Sequence, residues 1–81
     1  MKHNTFLIAV RATGAMSKWM SIEGLYNLVQ VQRMLSEAME ITDPPKNYTG
    51  VLIGVRSNPN MPIELVSYRE GFGEWQEVSH E

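Results

Sequence analysis

The chain has 81 residues, 43% of them apolar, and a formal net charge of −2 at pH 7, which predicts one globular domain rather than a disordered chain. The absence of cysteine excludes disulfides, thiolate zinc sites and a cysteine nucleophile, and it is compatible with a reducing cytoplasm. The chain lacks both a run of Lys or Arg and an apolar stretch of roughly 20 residues, so we expect neither nucleic-acid binding nor a membrane span.

The first predicted element is a strand from Thr5 to Ala12, TFLIAVRA. Its residues alternate between two faces that are both mostly apolar, which is typical of a central strand in a sheet. Residues 13–15 follow as a turn. The segment Lys18-Trp19-Met20 then has two interpretations, a short second strand or an extended lead-in to the next element.

One amphipathic helix is predicted from Ser21 to Ile41. Ser21 is placed to cap its N-terminus, and Asp43-Pro44-Pro45 is expected to stop it, because proline lacks an N–H and clashes with the preceding turn. Apolar side chains at helical spacing form one broad face that we expect to pack on the core. These side chains belong to Leu28, Val31, Met34, Leu35, Ala38 and Met39.

Three further strand segments are predicted in the second half of the chain. The clearest is Tyr48 to Arg56, which is rich in β-branched residues. Its Gly50 and Gly54 share one face, where they indicate a close approach by another backbone, a bulge or a bend. After a hairpin loop, Ile63 to Glu70 forms the next strand, and Glu74 to Val78 permits a short edge strand.

These elements predict an α+β fold of two layers, in which one main α-helix packs on a mostly antiparallel sheet of three to five strands. The first two long strands should run parallel if they are neighbours, since the helix connects them, whereas an intervening strand would let them run antiparallel. The core should come from the helix and the long strands. Its expected members are Phe6, Ile8, Val10, Val31, Leu35, Ala38, Val51, Ile53 and Val55.

The sequence contains no specific catalytic or cofactor-binding motif, so we expect a protein that is not an enzyme and needs no cofactor or metal. His3 and His80 lie near the termini, where they are either solvated tail residues or, if the ends meet, parts of one site. Gly71-Phe72-Gly73 resembles part of a phosphate-binding loop. Too little chain follows it for the required helix, so we expect a plain turn.

A second apolar stripe runs along the predicted helix, beside its core-facing side. Ile22, Tyr26 and Val29 form this stripe and lead towards Arg33. Either the core extends around the helix start, or the stripe belongs to a partner-binding surface, where Tyr, Trp, Met and Arg are enriched. Trp75 has the alternative interpretation of a core residue. The candidate partner-binding anchors are Trp19, Tyr26, Arg33 and Trp75.

Arginine and tyrosine side chains on the strands offer a second candidate site. If they gather on the open face of the sheet, their guanidinium groups and phenol rings could hold a nucleotide or a carboxylate. The alternative is that the arginines form solvated cross-strand pairs with Glu64, Glu70 and Glu74. The candidate ligand-binding residues are Arg11, Tyr48, Arg56, Tyr68 and Arg69.

Residues 73–81, GEWQEVSHE, resemble the C-terminal strand of one small family of type I-F anti-CRISPR proteins, which ends with a similar G-E-W-x-x-V-S-H-E stretch. The likeness covers about nine of the 81 residues, and the rest of the chain does not follow that family's pattern. No partner-contacting residue of the family has a matching motif here. The resemblance implies a phage or mobile-element protein that binds host machinery in the bacterial cytoplasm.

Two functions from different classes therefore remain open. The first is inhibition of a host protein or protein complex by occlusion. The second is small-ligand binding, such as sequestration of a nucleotide signal, by the arginines and tyrosines of the sheet. Convergence of those side chains in one pocket would favour ligand binding, and their dispersal would favour a protein interface. We also expect a homodimer, since a chain this small gains stability by burying apolar surface against a copy of itself.

Overall fold

The computed structural model describes residues 5–24, 27–41 and 47–78. Within those ranges one α-helix packs against an open, antiparallel sheet, which confirms the predicted α+β class. The elements in chain order are β1 (Thr5–Ala12), β2 (Ala15–Met16), β3 (Met20–Ile22), α1 (Leu28–Ile41), β4 (Tyr48–Arg56), β5 (Glu64–Glu70) and β6 (Trp75–Glu77).

The sheet has the strand order β2-β1-β4-β5-β6, and β3 also pairs with β1. Since β4 pairs with β1 along its whole length, β2 and β3 share the opposite edge of β1. The two long strands β1 and β4 are thus neighbours, but they run antiparallel. The expectation that neighbours would run parallel is wrong, because β3 reverses the chain before α1 crosses the sheet.

The helix begins seven residues later than its pattern predicts, at Leu28 rather than Ser21. Ser21 lies in β3 opposite Leu7, so it caps nothing. The cap is Asn27, whose side-chain oxygen accepts from the Gln30 N–H at 2.9 Å while its own N–H donates to the Gln30 side chain at 2.8 Å. This reciprocal pair satisfies two backbone donors that a helix start leaves unpaired.

The helix face that meets the sheet is narrower than the predicted one. Val31 is fully buried and Leu35 is half-buried, whereas Met34 and Ala38 are exposed, so the prediction of a core position for Ala38 is wrong. The rotation of α1 is set by polar contacts to β5 on the other side of Val31. The spacing of apolar residues predicts how wide the buried face of a helix is, but it does not predict the polar contacts that determine how the helix is rotated.

Both faces of the sheet carry buried residues, because α1 covers one face and loop residues cover the other. Val51 and Ile53 are buried on the α1 side, as predicted, with Phe6, Ile8, Val10 and Val55 half-buried around them. The most buried residues of β1 are instead Leu7 and Ala9, which lie on the face away from α1.

Gly54 accounts for part of this second covered face. It pairs with Leu7, and a Cβ at this position would lie 3.3 Å from the Trp19 ring and in conflict with the Ile63 side chain. The ladder to β5 also shifts register between Ile53 and Gly54. The prediction of a bulge is therefore confirmed at Gly54, and the bare backbone also lets the Trp19 side chain close over the sheet.

Within the described residues, no helix is both long enough and apolar enough to cross a membrane.

Two valine substitutions in α1 test this helix rotation with matched chemistry. Val31 is 0% exposed and Val29 is 59% exposed, and both changes to Ala remove the same atoms. We expect Val31→Ala to lower the free energy of unfolding by about 2 kcal/mol, through lost burial and the cavity left behind. Val29→Ala should change it by less than about 0.5 kcal/mol. Urea unfolding followed by circular dichroism measures both, and equal effects would contradict the rotation.

Candidate functional site

Two polar contacts fix α1 against β5. The Gln32 amide donates to the Ser67 hydroxyl at 3.0 Å, and one turn later Ser36 accepts from Arg69 at 3.1 Å. A step of four residues on a helix covers about 6 Å and a step of two along a strand about 6.6 Å, so the two pairs match in spacing. Ser67 in turn donates to the Gln76 carbonyl at 2.7 Å, which ties β6 to the same contact.

Arg69 is the most unusual residue of this region, because its guanidinium is buried at 7% exposure. Its Nε donates to the Gly73 carbonyl at 2.9 Å, one Nη to the Phe72 carbonyl at 3.0 Å and the other Nη to the Ser36 hydroxyl. All three of these acceptors are neutral oxygens. Neutral oxygens therefore satisfy a buried charge, which makes the position of each acceptor critical.

Two aromatic rings complete the surroundings of this guanidinium. Its central carbon lies 5.6 Å from the centre of the Phe72 ring and 5.8 Å from that of Trp75, within the range of cation–π attraction. The Trp75 indole N–H donates to the same Ser36 hydroxyl at 2.9 Å. Ser36 thus accepts from two donors and joins α1 to both β5 and β6.

Tyr48 closes the cluster at the start of β4. Its hydroxyl donates to the Gly71 carbonyl at 2.8 Å, and its ring centre lies 5.2 Å from that of Phe72. Burial raises the pKa of the Tyr48 phenol above its usual 10, an effect that the positive charge of Arg69 partly offsets. We call this set the Arg69 cluster. It consists of Ser36, Tyr48, Arg69, Phe72 and Trp75.

The other side of the same strands carries an open cleft of about 360 Å³, which we call the β6 cleft. Tyr68 and Gln76 are paired across β5 and β6, so their side chains share the face opposite to that of Ser67 and Arg69. The residues that line it are Tyr68, Glu70, Gly73, Glu74 and Gln76.

The candidate ligand-binding residues are dispersed over the molecule. Tyr48 and Arg69 lie together in the Arg69 cluster, on the α1 side of the sheet. Arg11 and Tyr68 belong to the opposite face. Arg56 ends β4 at the far end of the sheet, where it lines a second, smaller cleft beside the loop to β5. The structure thus distributes the five residues over both faces and the far end of the sheet, with a contact described between Tyr48 and Arg69.

The candidate partner-binding anchors are also separated. Trp19 covers the sheet face away from α1, and Trp75 is half-buried with its indole bonded to Ser36. Arg33 is exposed on the outer side of α1. Tyr26 lies outside the described residues, as do His3, His80 and the last three residues of the anti-CRISPR-like stretch.

The sequence pointed to Tyr48, Arg69 and Trp75 in two separate candidate sites, but it did not point to Ser36, which joins Arg69 and Trp75. Ser36 was one polar position on an apolar helix, and nothing in the sequence tells that it accepts from two strands. A usable signal was the Gly71-Phe72-Gly73 turn, in which Gly71 has a φ of 55°. A large aromatic held between glycines at a sharp turn indicates a fixed, displayed side chain.

Within the described part of the chain, no three His, Asp or Glu side chains are grouped closely enough to hold a metal ion. The donors of Arg69 point to main-chain and serine oxygens inside the cluster. What reaches the surface is the Phe72 ring, which is 56% exposed.

Comparisons of this chain with protein-family models, with curated proteins and with solved structures found no match.

Arg69→Met tests whether the buried guanidinium is a structural centre. The change removes the Arg69 donors to two main-chain carbonyls and one of the two donors to Ser36, so we expect the free energy of unfolding to fall by about 2 kcal/mol or more. Arg11→Met is the matched control, because Arg11 is exposed, and its effect should stay within about 0.5 kcal/mol. Urea unfolding of both variants gives the comparison. A stable Arg69→Met protein would mean that the guanidinium is free for another role.

We expect the effect of Tyr48→Phe on the free energy of unfolding to depend on pH. At pH 8 the loss of the hydrogen bond to Gly71 should cost about 0.5–1.5 kcal/mol. Folding raises the pKa of the Tyr48 phenol above 10. The phenol therefore contributes fully to the free energy of unfolding below pH 10, and this contribution is lost as the pH rises through the folded-state pKa. The difference between wild type and Tyr48→Phe should therefore shrink above pH 10. Urea unfolding at pH 8 and pH 10.5 measures it, and a constant difference would contradict the assignment.

Proposed function

We propose that this protein acts by binding another protein and occluding its surface, without a cofactor. The observation that carries this proposal is the distribution of the arginines and tyrosines over both faces and the far end of the sheet, since a small ligand would need them in one pocket. Several large apolar side chains are meanwhile exposed, as is common at interfaces that use Met and aromatic residues. They are Met16, Met20, Val29, Met34, Met61 and Phe72.

The partner class follows from the C-terminal resemblance. A likeness to type I-F anti-CRISPR proteins supports a phage or mobile-element protein directed at bacterial defence machinery in the cytoplasm. Occlusion is the mode of action that suits a small domain whose polar groups are used to hold its own elements together. A pre-ordered surface loses little side-chain entropy on binding, which supports tight association from a small contact area.

Small-ligand binding is the less supported alternative. The one pair of candidate ligand residues that meets, Tyr48 and Arg69, places a guanidinium at 7% exposure inside the fold. Three of its donors are already used by neighbouring oxygens. A nucleotide phosphate would have to displace these contacts, and each displaced carbonyl would then lose its donor.

The proposal predicts selective capture of a protein. Immobilised full-length protein, incubated with lysate of a bacterium that carries a type I-F CRISPR system, should enrich one protein or complex identified by mass spectrometry. Phe72→Ala should weaken that capture about thirtyfold, as expected for an aromatic anchor worth about 2 kcal/mol. Met61→Ala is the matched control, since Met61 is similarly exposed at the far end of the sheet.

The same preparation distinguishes the alternative function. Small molecules released from the purified protein by denaturation are analysed by mass spectrometry. A stoichiometric nucleotide together with no enriched protein would contradict occlusion and favour ligand binding. Arg33→Ala is included because Arg33 is the exposed candidate anchor on α1, and weaker capture by this variant alone would move the contact to the helix.

A further inference from the structure

We propose that the β6 cleft and the free edge of β6 together form a docking site for an extended, basic segment of the partner protein. This inference rests on the proposed function, which it deepens by naming the surface and the chemistry of the segment that binds there. Three features carry it: the charge of the cleft, the open strand edge and the internal support of β6.

The β6 cleft is negatively charged and its carboxylates are available. Glu70 and Glu74 are both exposed, and of the described residues that line the cleft none is Lys or Arg. Arg11 lies in the same row of side chains as Glu70, with Gly50 between them. It makes no ion pair with Glu70 or Glu74 within the described part of the chain. Tyr68 adds an aromatic floor on which a long cationic side chain can lie.

The backbone of β6 offers hydrogen-bonding groups next to this cleft. Among the described strands, β5 is the one neighbour of β6. The Val78 N–H donates to the Val66 carbonyl at 2.9 Å, and bonded pairs recur every second residue in an antiparallel ladder. Gln76 therefore bonds towards β5, while the N–H and C=O groups of Trp75 and Glu77 point away from the sheet. An added strand would pair with those two residues.

A segment paired with Trp75 and Glu77 would direct its side chains into the cleft. The residue opposite Gln76 projects to the same face as Gln76, because directly opposed residues share a face. A Lys or Arg at that position reaches towards Glu74, and a second one two residues along lies on the same side. Alternate basic residues in an extended conformation are thus the chemistry that fits.

The β6 edge is held in place from within, which lowers the cost of ordering it on binding. Ser67 donates to the Gln76 carbonyl, and Arg69 donates to the Gly73 carbonyl at the entrance of the strand. Trp75 is bonded to Ser36 of α1.

A second copy of this chain is not the occupant that the charges favour. Antiparallel pairing of two β6 edges about Glu77 would set Glu77 of one copy directly opposite Glu77 of the other. Like charges directly opposed across strands are destabilising, and the chain as a whole carries a net charge of −2. A basic segment of a different protein has the complementary charge.

The direct test titrates the 15N-labelled full-length protein with a capped peptide of alternating Lys and Val residues, at low salt, and follows amide chemical shifts. The expected result is a saturable shift confined to Tyr68, Glu70 and residues 73–77, which weakens as salt is added. The same peptide with Glu in place of Lys should cause no shift. Absence of shifts with the Lys peptide, or shifts centred on α1, would overturn the proposal.

Charge reversal provides a matched pair of variants. Glu74→Lys should weaken binding of the Lys peptide at least about tenfold, because it places a like charge in the cleft. Glu37→Lys changes the net charge equally but lies exposed on α1, so it should bind as wild type does. Circular dichroism confirms that both variants are folded. Equal weakening by the two would show a general charge effect and overturn the docking site.

The strand edge is tested separately at Glu77. Glu77→Pro removes an N–H that points away from β5, so the β5–β6 ladder keeps its bonds while the docked strand loses one. Glu77→Gln is the control that removes the charge and keeps the N–H. Peptide binding should fall with Glu77→Pro well beyond its fall with Glu77→Gln, and equal losses would overturn the edge-pairing geometry.

Two experimental outcomes distinguish the docking site from the proposed function. If a lysate protein is captured equally by wild type and Glu74→Lys, the function stands and the docking site is wrong. If no protein is captured but the Lys peptide binds at residues 73–77, the docking chemistry stands and the proposed host partner is wrong.

Discussion

The rest of the structure depends on how one buried positive charge is satisfied. The Arg69 guanidinium is held by two main-chain carbonyls, a serine hydroxyl and two aromatic rings. Because a buried charge tolerates little movement of its acceptors, the 71–73 turn and Ser36 are fixed by the same group. The rotation of α1, the path of the turn and the position of β6 are consequences of this one constraint.

The side chains of β5 alternate between a face that supports neighbouring elements and a face that is exposed. Ser67 and Arg69 face α1 and hold the last strand and the turn from inside. Tyr68 and Glu70 face the other way and line the β6 cleft. The residues that contact α1, β6 and the turn therefore alternate along β5 with the residues that line the cleft. A small domain can in this way present a preformed surface, which is what binding by occlusion requires.

Much of the fold was predictable because local periodicity determines it. The bounds of β1 and β4 are those the alternating pattern predicts, and the segment around Met20 does form a short strand. The helix start was misplaced because Ser21 is a good cap by residue type. The reciprocal Asn27 and Gln30 pair was present in the sequence as an N-x-x-Q spacing and was the better signal.

The sequence by itself determined which residues share a face; only the tertiary structure decided what covers each face. A period of two places Leu7 with Ala9 and Ser67 with Arg69, but it cannot show that Trp19 closes over Gly54 or that Ser36 accepts from Arg69. The dispersal of the five arginines and tyrosines was undecidable for the same reason. Face assignment follows from bond geometry within one strand, whereas burial and hydrogen bonding depend on elements more than 30 residues apart in the chain, such as Ser36 and Arg69.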